Sequence, residues 1–310
     1  MRILFLGTAQ FACPSLQMLL DSPHGVTAVI TQPDRPRGRG QKVSPSPVKT
    51  LAMAHRLVVF QPERIRDPAA IQFCREKKPD VIVVVAYGQI LPPDLLTIPP
   101  LGCVNVHASL LPKLRGAAPI ARAILNGEEK TGVTTLRMDE GMDSGPVFLM
   151  EEIPIRPNDT SGTLQDRLSR IGARLLQKTL GGLEDGSLIP RPQDHAQATY
   201  APKISKEEGK IDWQRSAFQL SCQLRAFDPW PGAYTYWKGR VLKLFSPTVL
   251  DKETKEPAGT VIQMRDEGMI VTTGKGCLQI AELQLEGRRR MKVQEFRKGH
   301  LLHPGIHLGD

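Results

Sequence analysis

"VIVVVA", residues 81–86, decides the fold. Successive side chains on a strand point to opposite faces, so five β-branched residues in a row leave neither face for water. Such a strand belongs to a parallel sheet with helices packed on both sides, because an antiparallel sheet with one wet face alternates apolar and polar positions. The flanking sequence repeats the theme. Before it come a strand at Ile3–Leu6, a helix from about Pro14, a strand at Val26–Ile30, and helices near Ser46–His55 and Pro68–Lys77. Strand alternating with helix is the βαβ rhythm. After it, strands at Val104–Val106, Val133–Met138 and Val147–Ile155 extend the sheet, the last, longer pair suited to an antiparallel arrangement, and a helix from about Thr163 to Leu180 closes the unit.

The expected class is α/β, a Rossmann-like, doubly wound and mostly parallel sheet. A nicotinamide cofactor is not implied: "GTAQFACPS" after the first strand is not G-x-G-x-x-G, and the later "GRG" follows no strand-to-helix turn. From Asp185 the chain turns polar and proline-containing ("DGSLIPRPQDHAQATYAPKISKEE"), which reads as a linker over 185–208. A helix near Ser216–Phe227 and five short strands follow, at Ala233–Trp237, Val241–Phe245, Gly259–Met264, Met269–Thr273 and Leu278–Leu285. Their spacing predicts a small C-terminal β-barrel, OB-like in size, over 209–310. The first domain then spans 1–184.

With 40% hydrophobic and 24% charged residues the composition is that of a globular protein, and no run approaches the roughly 20 apolar residues that cross a bilayer. The opening "MRILFLG" reads as a strand and turn rather than a targeting peptide, so a cytoplasmic location is expected. Cys13, Cys74, Cys103, Cys222 and Cys277 stand singly, which supports neither a zinc site nor a disulfide framework. His300, His303 and His307 fall in a stretch broken by Pro304 and Gly305, expected to be a solvated tail rather than a metal site. The formal charge of +9 is concentrated. Arg35, Arg37, Arg39, Lys42 and Lys49 meet only Asp34 between residues 31 and 50, and Arg288, Arg289, Arg290, Lys292, Arg297 and Lys298 meet only Glu295. Two separated basic clusters suit a polyanionic partner such as nucleic acid, whereas one alone reads as solvated surface.

"CVNVHASLLPKLRG", residues 103–116, carries the chemistry. On an extended Val104–His107 segment both valines share one side, and Asn105 and His107 converge on the other. Such a pair fits a strand end that opens into a cleft. It fits equally an amide and an imidazole that satisfy backbone groups at a strand terminus. In an open parallel sheet the ligand crevice lies beyond the carboxyl ends of the strands, where this pair emerges. Asp143, in "MDEGMDSGPV" between Gly141 and Gly145, is a third candidate on a tight turn, a place where a glycine-rich connection alone would also be ordinary.

Together these pieces resemble the 10-formyltetrahydrofolate-dependent formyltransferases. "NVHASLLPKLRGAAPI" is similar to their signature, and "GTAQFACPSL", "TQPDRPRGRGQKVSPSPVK", "AYGQILP", "TYAPKISKEEGKIDW" and "RAFDPWPGAYT" extend the resemblance along the whole chain, to the branch that acts on methionyl-tRNA. Two departures stand out: Ala9 and Gln10 follow Thr8 where a proline and an acidic residue are usual, and Leu114 sits where tryptophan is common. The resemblance implies a catalytic set of Asn105, His107 and Asp143. It implies 10-formyltetrahydrofolate as formyl donor and no metal, with the pterin against Gln89, Ile90 and Leu91, Ser109, Leu110, Leu111 and Pro112, and Asp139. It implies methionyl-initiator tRNA as partner, held by Arg35, Arg37, Arg39 and Lys42 of a glycine-containing loop that orders on binding, and by Arg288, Arg289, Arg290 and Lys292 of the C-terminal domain. A monomer is expected.

The residue types suit the reaction. When an amine attacks a formyl carbon, charge develops on oxygen and the nitrogen sheds a proton. Asn105 and a protonated His107 would stabilise the oxyanion, and Asp143 would keep His107 charged and assist proton removal. No serine or cysteine has a matching base, so direct transfer is expected. Two alternatives share part of the pattern. A formyltransferase for an amino-sugar nucleotide or glycinamide ribonucleotide needs no long basic loop, and a non-catalytic RNA-binding protein needs no polar triad.

Overall fold

A computed structural model describes residues 1–37 and 42–309 of the chain. They form two units. The first comprises residues 1–119, 131–153 and 165–201, and the second residues 120–130, 154–164 and 202–310, its last residue lying outside the described part.

The first unit is built on a seven-stranded sheet. Its strands are β1 (Arg2–Gly7), β2 (Gly25–Ile30), β5 (Val59–Phe60), β6 (Val81–Val85), β7 (Cys103–His107), β8 (Lys130–Arg137) and β9 (Val147–Pro154). The order is β5-β2-β1-β6-β7-β8-β9. Pairing is parallel from β5 to β7 and turns antiparallel at β7/β8, where Asn105 lies opposite Leu136 and His107 opposite Thr134. All five residues of β6 are buried, as their chemistry requires. The two-residue period then sorts the core. Leu4, Leu6, Ile82 and Val84 pack with Ala70 and Cys74 of helix α3 (Pro68–Glu76) and Leu95 of the short α4 (Pro93–Leu96), while Ile3, Phe5, Val83 and Val85 are buried on the opposite face. Helix α6 (Ser161–Glu184) comes so close to the sheet that a Cβ on Gly172 would stand 2.8 Å from Val106 Cγ1. Each fully buried valine contributes about 1.5–3 kcal/mol relative to exposure, so a charge within β6 would unfold the unit.

Helix starts follow local signals. Pro14, Pro47 and Pro68 sit in the first turns of α1 (Cys13–Leu20), α2 (Pro47–Ala54) and α3, where a missing N–H costs nothing. Ser46 caps α2 by accepting from Lys49 N–H at 3.0 Å. Between β2 and α2 the basic stretch is a ribbon of β3 (Arg35–Arg37) on β4 (Lys42–Ser44), with Arg35 opposite Ser44. Its base is pinned by Asp34, which accepts from Lys49 Nζ (2.6 Å) and Gln61 Nε2 (2.8 Å).

The second unit holds helix α7 (Ala217–Ala226), started by a reciprocal Ser216/Gln219 capping box, and strands β10 (Tyr234–Trp237), β11 (Arg240–Leu250), β12 (Val261–Arg265), β13 (Gly268–Thr272), β14 (Cys277–Leu285) and β15 (Met291–Lys292). These pair as an antiparallel sheet in the order β10-β11-β14-β13-β12, with β15 added to β14. Among the described residues the ladders run from β10 to β12 with no pairing between those two outer strands. Helix α5 (Pro119–Leu125) leads into this unit, where Arg122 grips Glu208.

Two expectations change. Residues 185–208, read from composition as a linker, are divided: 185–201 belong to the first unit and 202–208 to the second. Polar, proline-containing sequence also suits an extended strap, and this one pairs its backbone with the sheet, Arg191 and Val147 exchanging hydrogen bonds of 2.7 and 2.8 Å. The C-terminal stretch is anchored at intervals rather than free, although His303 and His307 are exposed. Helix α8 (Val293–Gly299) precedes it, His300 stacks on Phe296 at 4.3 Å, and Leu302 and Leu308 are buried.

Candidate active site

Strand alternation places Asn105 and His107 on one side at the carboxyl end of β7. The turn between β8 and β9 brings Asp143 to them. Asn105 Nδ2 donates to Asp143 Oδ1 at 3.1 Å, and the backbone N–H of Gly116 donates to Oδ2 at 2.8 Å. His107 Nδ1 faces the same Oδ2 at 3.5 Å, within ion-pair range and beyond an N–H···O bond of about 2.7–3.2 Å. The other ring nitrogen settles the tautomer. Nε2 lies 3.0 Å from the carbonyl oxygen of Leu114, which can only accept, so Nε2 carries a proton. His107 is buried, whereas Asn105 and Asp143 are half-buried and reach the surface.

The backbone is bent to make this cluster. Leu114 (φ 58°) and Asp143 (φ 51°) both occupy the left-handed region, which costs a non-glycine residue on the order of 1–2 kcal/mol. Gly116, at φ 112°, turns its N–H onto the carboxylate in a conformation closed to other residues. Gly145 is required by space, since a Cβ there would collide with the carbonyl oxygen of Arg137.

The expected pterin wall separates into two kinds of residue. Ser109 and Leu111 are buried structural members: Ser109 Oγ donates to Lys113 O at 2.7 Å, and Leu111 packs with Leu136 and Val147. Leu110 and Pro112 are half-buried in the same turn. Gln89 is braced by Ile65 N–H (2.7 Å) and Glu63 O (3.0 Å), and Leu91 is buried. Ile90 is 78% exposed, and among the described residues the backbone N–H and C=O groups of Gln89 and Ile90 have no partner within the chain. They border a cavity of about 460 Å³ that Gln32, Gly88 and Arg35 also line. Asp139 shapes the other loop, accepting from Gly141 N–H (3.1 Å) and Ser144 Oγ (2.8 Å).

Residues 1–180 match the family described as formyl transferase, and residues 203–301 match its C-terminal domain. The chain belongs to the formyl transferase family. A methionyl-tRNA formyltransferase of Alkaliphilus oremlandii is 46% identical over 310 residues, covering all of both chains. Another, of Trichlorobacter lovleyi, is 50% identical over 304 residues, 98% of this chain and 96% of the relative. Among solved structures, an N-formyltransferase from Helicobacter canadensis in complex with folinic acid and dTDP-3-aminofucose shares the fold (TM-score 0.66, 19% identity, 93% of this chain and 99% of that one). So does HypX from Aquifex aeolicus in complex with tetrahydrofolic acid (TM-score 0.65, 21% identity, 96% of this chain), of which this chain spans 47%.

Within the formyl transferase scaffold no thiol competes for the chemistry. Cys103 is buried beside the strand that carries Asn105, and burial pushes its thiol up to about 12, far from a thiolate. No group of His, Cys, Asp and Glu among the described residues could hold a metal, and no helix is long and apolar enough to cross a membrane. The basic residues differ in role. Arg35 is exposed, 3.8 Å from Glu63. Arg39 lies outside the described residues, as do the side chains of Arg37 and Lys42. Arg290 is spent internally on Asp228 (3.0 and 3.1 Å) and Glu282 (2.6 and 2.9 Å), with its guanidinium 4.0 Å from the Phe245 ring centre. Arg289 pairs with Glu295 at 2.5 Å, and Arg288 and Lys292 are exposed.

Sequence reasoning missed Gly116 N–H, the Leu114 carbonyl and Gln193, which donates to the carbonyls of Asp143 (2.8 Å) and Gly145 (2.7 Å). The Arg-Gly pair closing the signature was the only local signal for the first. Nothing near Gln193 in the sequence marks it.

Proposed function

We propose that this chain transfers a formyl group from 10-formyltetrahydrofolate to the α-amino group of methionyl-initiator tRNA. The observation that carries the reading is Asp143, a carboxylate set among the Asn105 amide, the Gly116 N–H and the His107 ring. Full-length identity near one half to methionyl-tRNA formyltransferases supports the choice of acceptor.

The roles follow from the atoms. Attack by a neutral amine on the formyl carbon gives a tetrahedral centre with charge on oxygen, and Asn105 Nδ2, which gives one proton to Asp143, has a second to offer that oxygen. His107 Nδ1 faces Asp143 Oδ2 at 3.5 Å and, with Nε2 already bearing a proton, is a second donor only in the imidazolium form. One such donor typically contributes about 100- to 1,000-fold in rate. Asp143, the carboxylate facing this ring, takes the amine proton, directly or through water. Collapse of the tetrahedral centre breaks the bond to the folate nitrogen, which leaves carrying the proton that the amine released, with no acyl-enzyme. The open backbone groups of Gln89 and Ile90 suit the polar edge of the pterin, and the Asp139–Asp143 loop suits its far side. Arg35, Arg37 and Lys42 of the ribbon and Arg39 of the same basic stretch of sequence, with Arg288 and Lys292 of the second unit, neutralise tRNA phosphates.

The test is transfer of labelled formyl from 10-formyltetrahydrofolate to methionyl-initiator tRNA, beside glycinamide ribonucleotide and an amino-sugar nucleotide. Transfer to the tRNA alone supports the reading. Transfer to a small acceptor keeps the chemistry and overturns the acceptor, and tRNA binding without transfer overturns the enzyme.

A further inference from the structure

Gln193 stands on the strap between α6 and the second unit, fifty residues from Asp143, yet it is 8% exposed and its amide is fully used. Nε2 donates to the carbonyls of Asp143 (2.8 Å) and Gly145 (2.7 Å), and Oε1 accepts from Arg115 Nε (3.2 Å) and Nη2 (2.7 Å). Arg115 is itself 4% exposed and also reaches His195 Nδ1 at 3.1 Å. Its backbone is tied to the same strap, Arg115 N–H to Thr199 O at 2.9 Å and Ala201 N–H to Arg115 O at 2.7 Å. One residue earlier, the Leu114 carbonyl holds His107 and the Leu114 N–H donates to Thr199 Oγ1 at 2.9 Å. The contacts close a ring running His107, Leu114, Arg115, Gln193, Asp143 and back to His107.

We infer that Gln193 is a positioning residue for the formyl transfer, locking the turn that carries Asp143 to the loop that carries the His107 acceptor. This rests on the function proposed above. The amide cannot be reversed: its oxygen must face two guanidinium donors and its nitrogen two carbonyl acceptors. Only glutamine satisfies both sides, and the side facing Asp143 is where the left-handed turn would otherwise relax. A shift of about 1 Å in a reacting group costs on the order of 100-fold in rate, so the clamp acts on turnover rather than on substrate binding.

The variants are Gln193→Glu, which keeps an acceptor for Arg115 and sets a carboxylate oxygen against the two carbonyls, and Gln193→Met, which removes both halves. Each is measured by single-turnover formyl transfer to methionyl-tRNA, with KM for both substrates and thermal unfolding, alone and in an Asp143→Asn background. The expected result is a 10- to 100-fold fall in kcat for Gln193→Glu, KM values within about threefold, unfolding close to wild type, and less than about a twofold further loss when Asp143 is already replaced. Gln193→Met serves as the check should Gln193→Glu unfold. Losses that multiply with Asp143→Asn, or that follow KM or thermal stability, would show a structural role only and overturn the inference, as would wild-type kcat in both variants. A wild-type protein that transfers no formyl group is the separate result that removes the underlying function.

Discussion

Asp143→Asn tests the site most directly, because the change is isosteric and its consequences can be worked out atom by atom. Both carboxylate oxygens accept from N–H donors, Asn105 Nδ2 at 3.1 Å and Gly116 N–H at 2.8 Å, and Oδ2 also faces His107 Nδ1 at 3.5 Å. An amide has only one acceptor atom. If its oxygen serves Gly116, its NH2 faces the NH2 of Asn105, and the conflict is relieved only when Asn105 turns its own amide around. If its oxygen serves Asn105, its NH2 faces the backbone donor of Gly116, which cannot turn. The second arrangement leaves a donor unsatisfied at about 1–3 kcal/mol, and the first aims the Asn105 carbonyl where its N–H belongs. Either way the charge opposite His107 is gone, along with the acceptor for the amine proton. The expected loss is on the order of 100- to 10,000-fold in single-turnover formyl transfer, with the melting temperature down by no more than several degrees. Asn tolerates the left-handed conformation at this position, so the fold survives. A variant transferring formyl within about threefold of wild type would refute the assignment of Asp143 and the electrostatic reasoning behind it.

Three further outcomes follow. Gly145→Ala drives a Cβ into the Arg137 carbonyl oxygen, a backbone atom that cannot step aside, so thermal unfolding falls by roughly 2 kcal/mol or more and activity falls with it; an unchanged melting curve would contradict the packing. Arg122 bonds Glu208 at 2.6 and 3.1 Å, and that hydrogen bond holds the Glu208 carboxyl below its ordinary value of 4.5. A lowered folded-state value means stability that is complete above the ordinary glutamate range and is lost as pH falls through the folded value. The gap between wild type and Glu208→Gln in denaturant titrations, on the order of 1 kcal/mol at pH 7, therefore narrows as pH falls below the ordinary glutamate value and closes once pH has passed the lowered folded-state value; a gap that stays constant through that fall would contradict it. Arg290→Ala strands Asp228 and Glu282 and lowers the melting temperature, while Arg288→Ala and Lys292→Ala leave it unchanged and each reduce the slope of log tRNA affinity against log salt by about 1, read by filter binding across salt concentrations.

How much of this was legible in the sequence depends on the distance over which each feature is encoded. The parallel sheet could be read from β6 because burial on both faces is written into consecutive residues, and the helices expected from about Pro14, Ser46 and Pro68 start within a residue of those positions. Asn105 and His107 could be paired because a two-residue period is local. The same logic erred at 185–208, where a composition suited to a solvated linker also suits a strap that spends its polar groups on the sheet. A charge count likewise does not show that the Arg290 guanidinium is engaged by Asp228 and Glu282, unlike Arg288 and Lys292.

The sequence by itself determined the α/β class, the strand that ends in Asn105 and His107, and the concentration of charge in two stretches, because each rests on neighbours in the chain. Only the tertiary structure decided which donors surround Asp143, that Gly116 supplies a backbone N–H to it, that Gln193 ties its turn to Arg115, and that residues 120–130 and 154–164 belong with the second unit. The physical reason is that a hydrogen bond is specified by the position and direction of two atoms to within tenths of an ångström. Those coordinates are set by the closure of loops tens of residues long, which no local periodicity records.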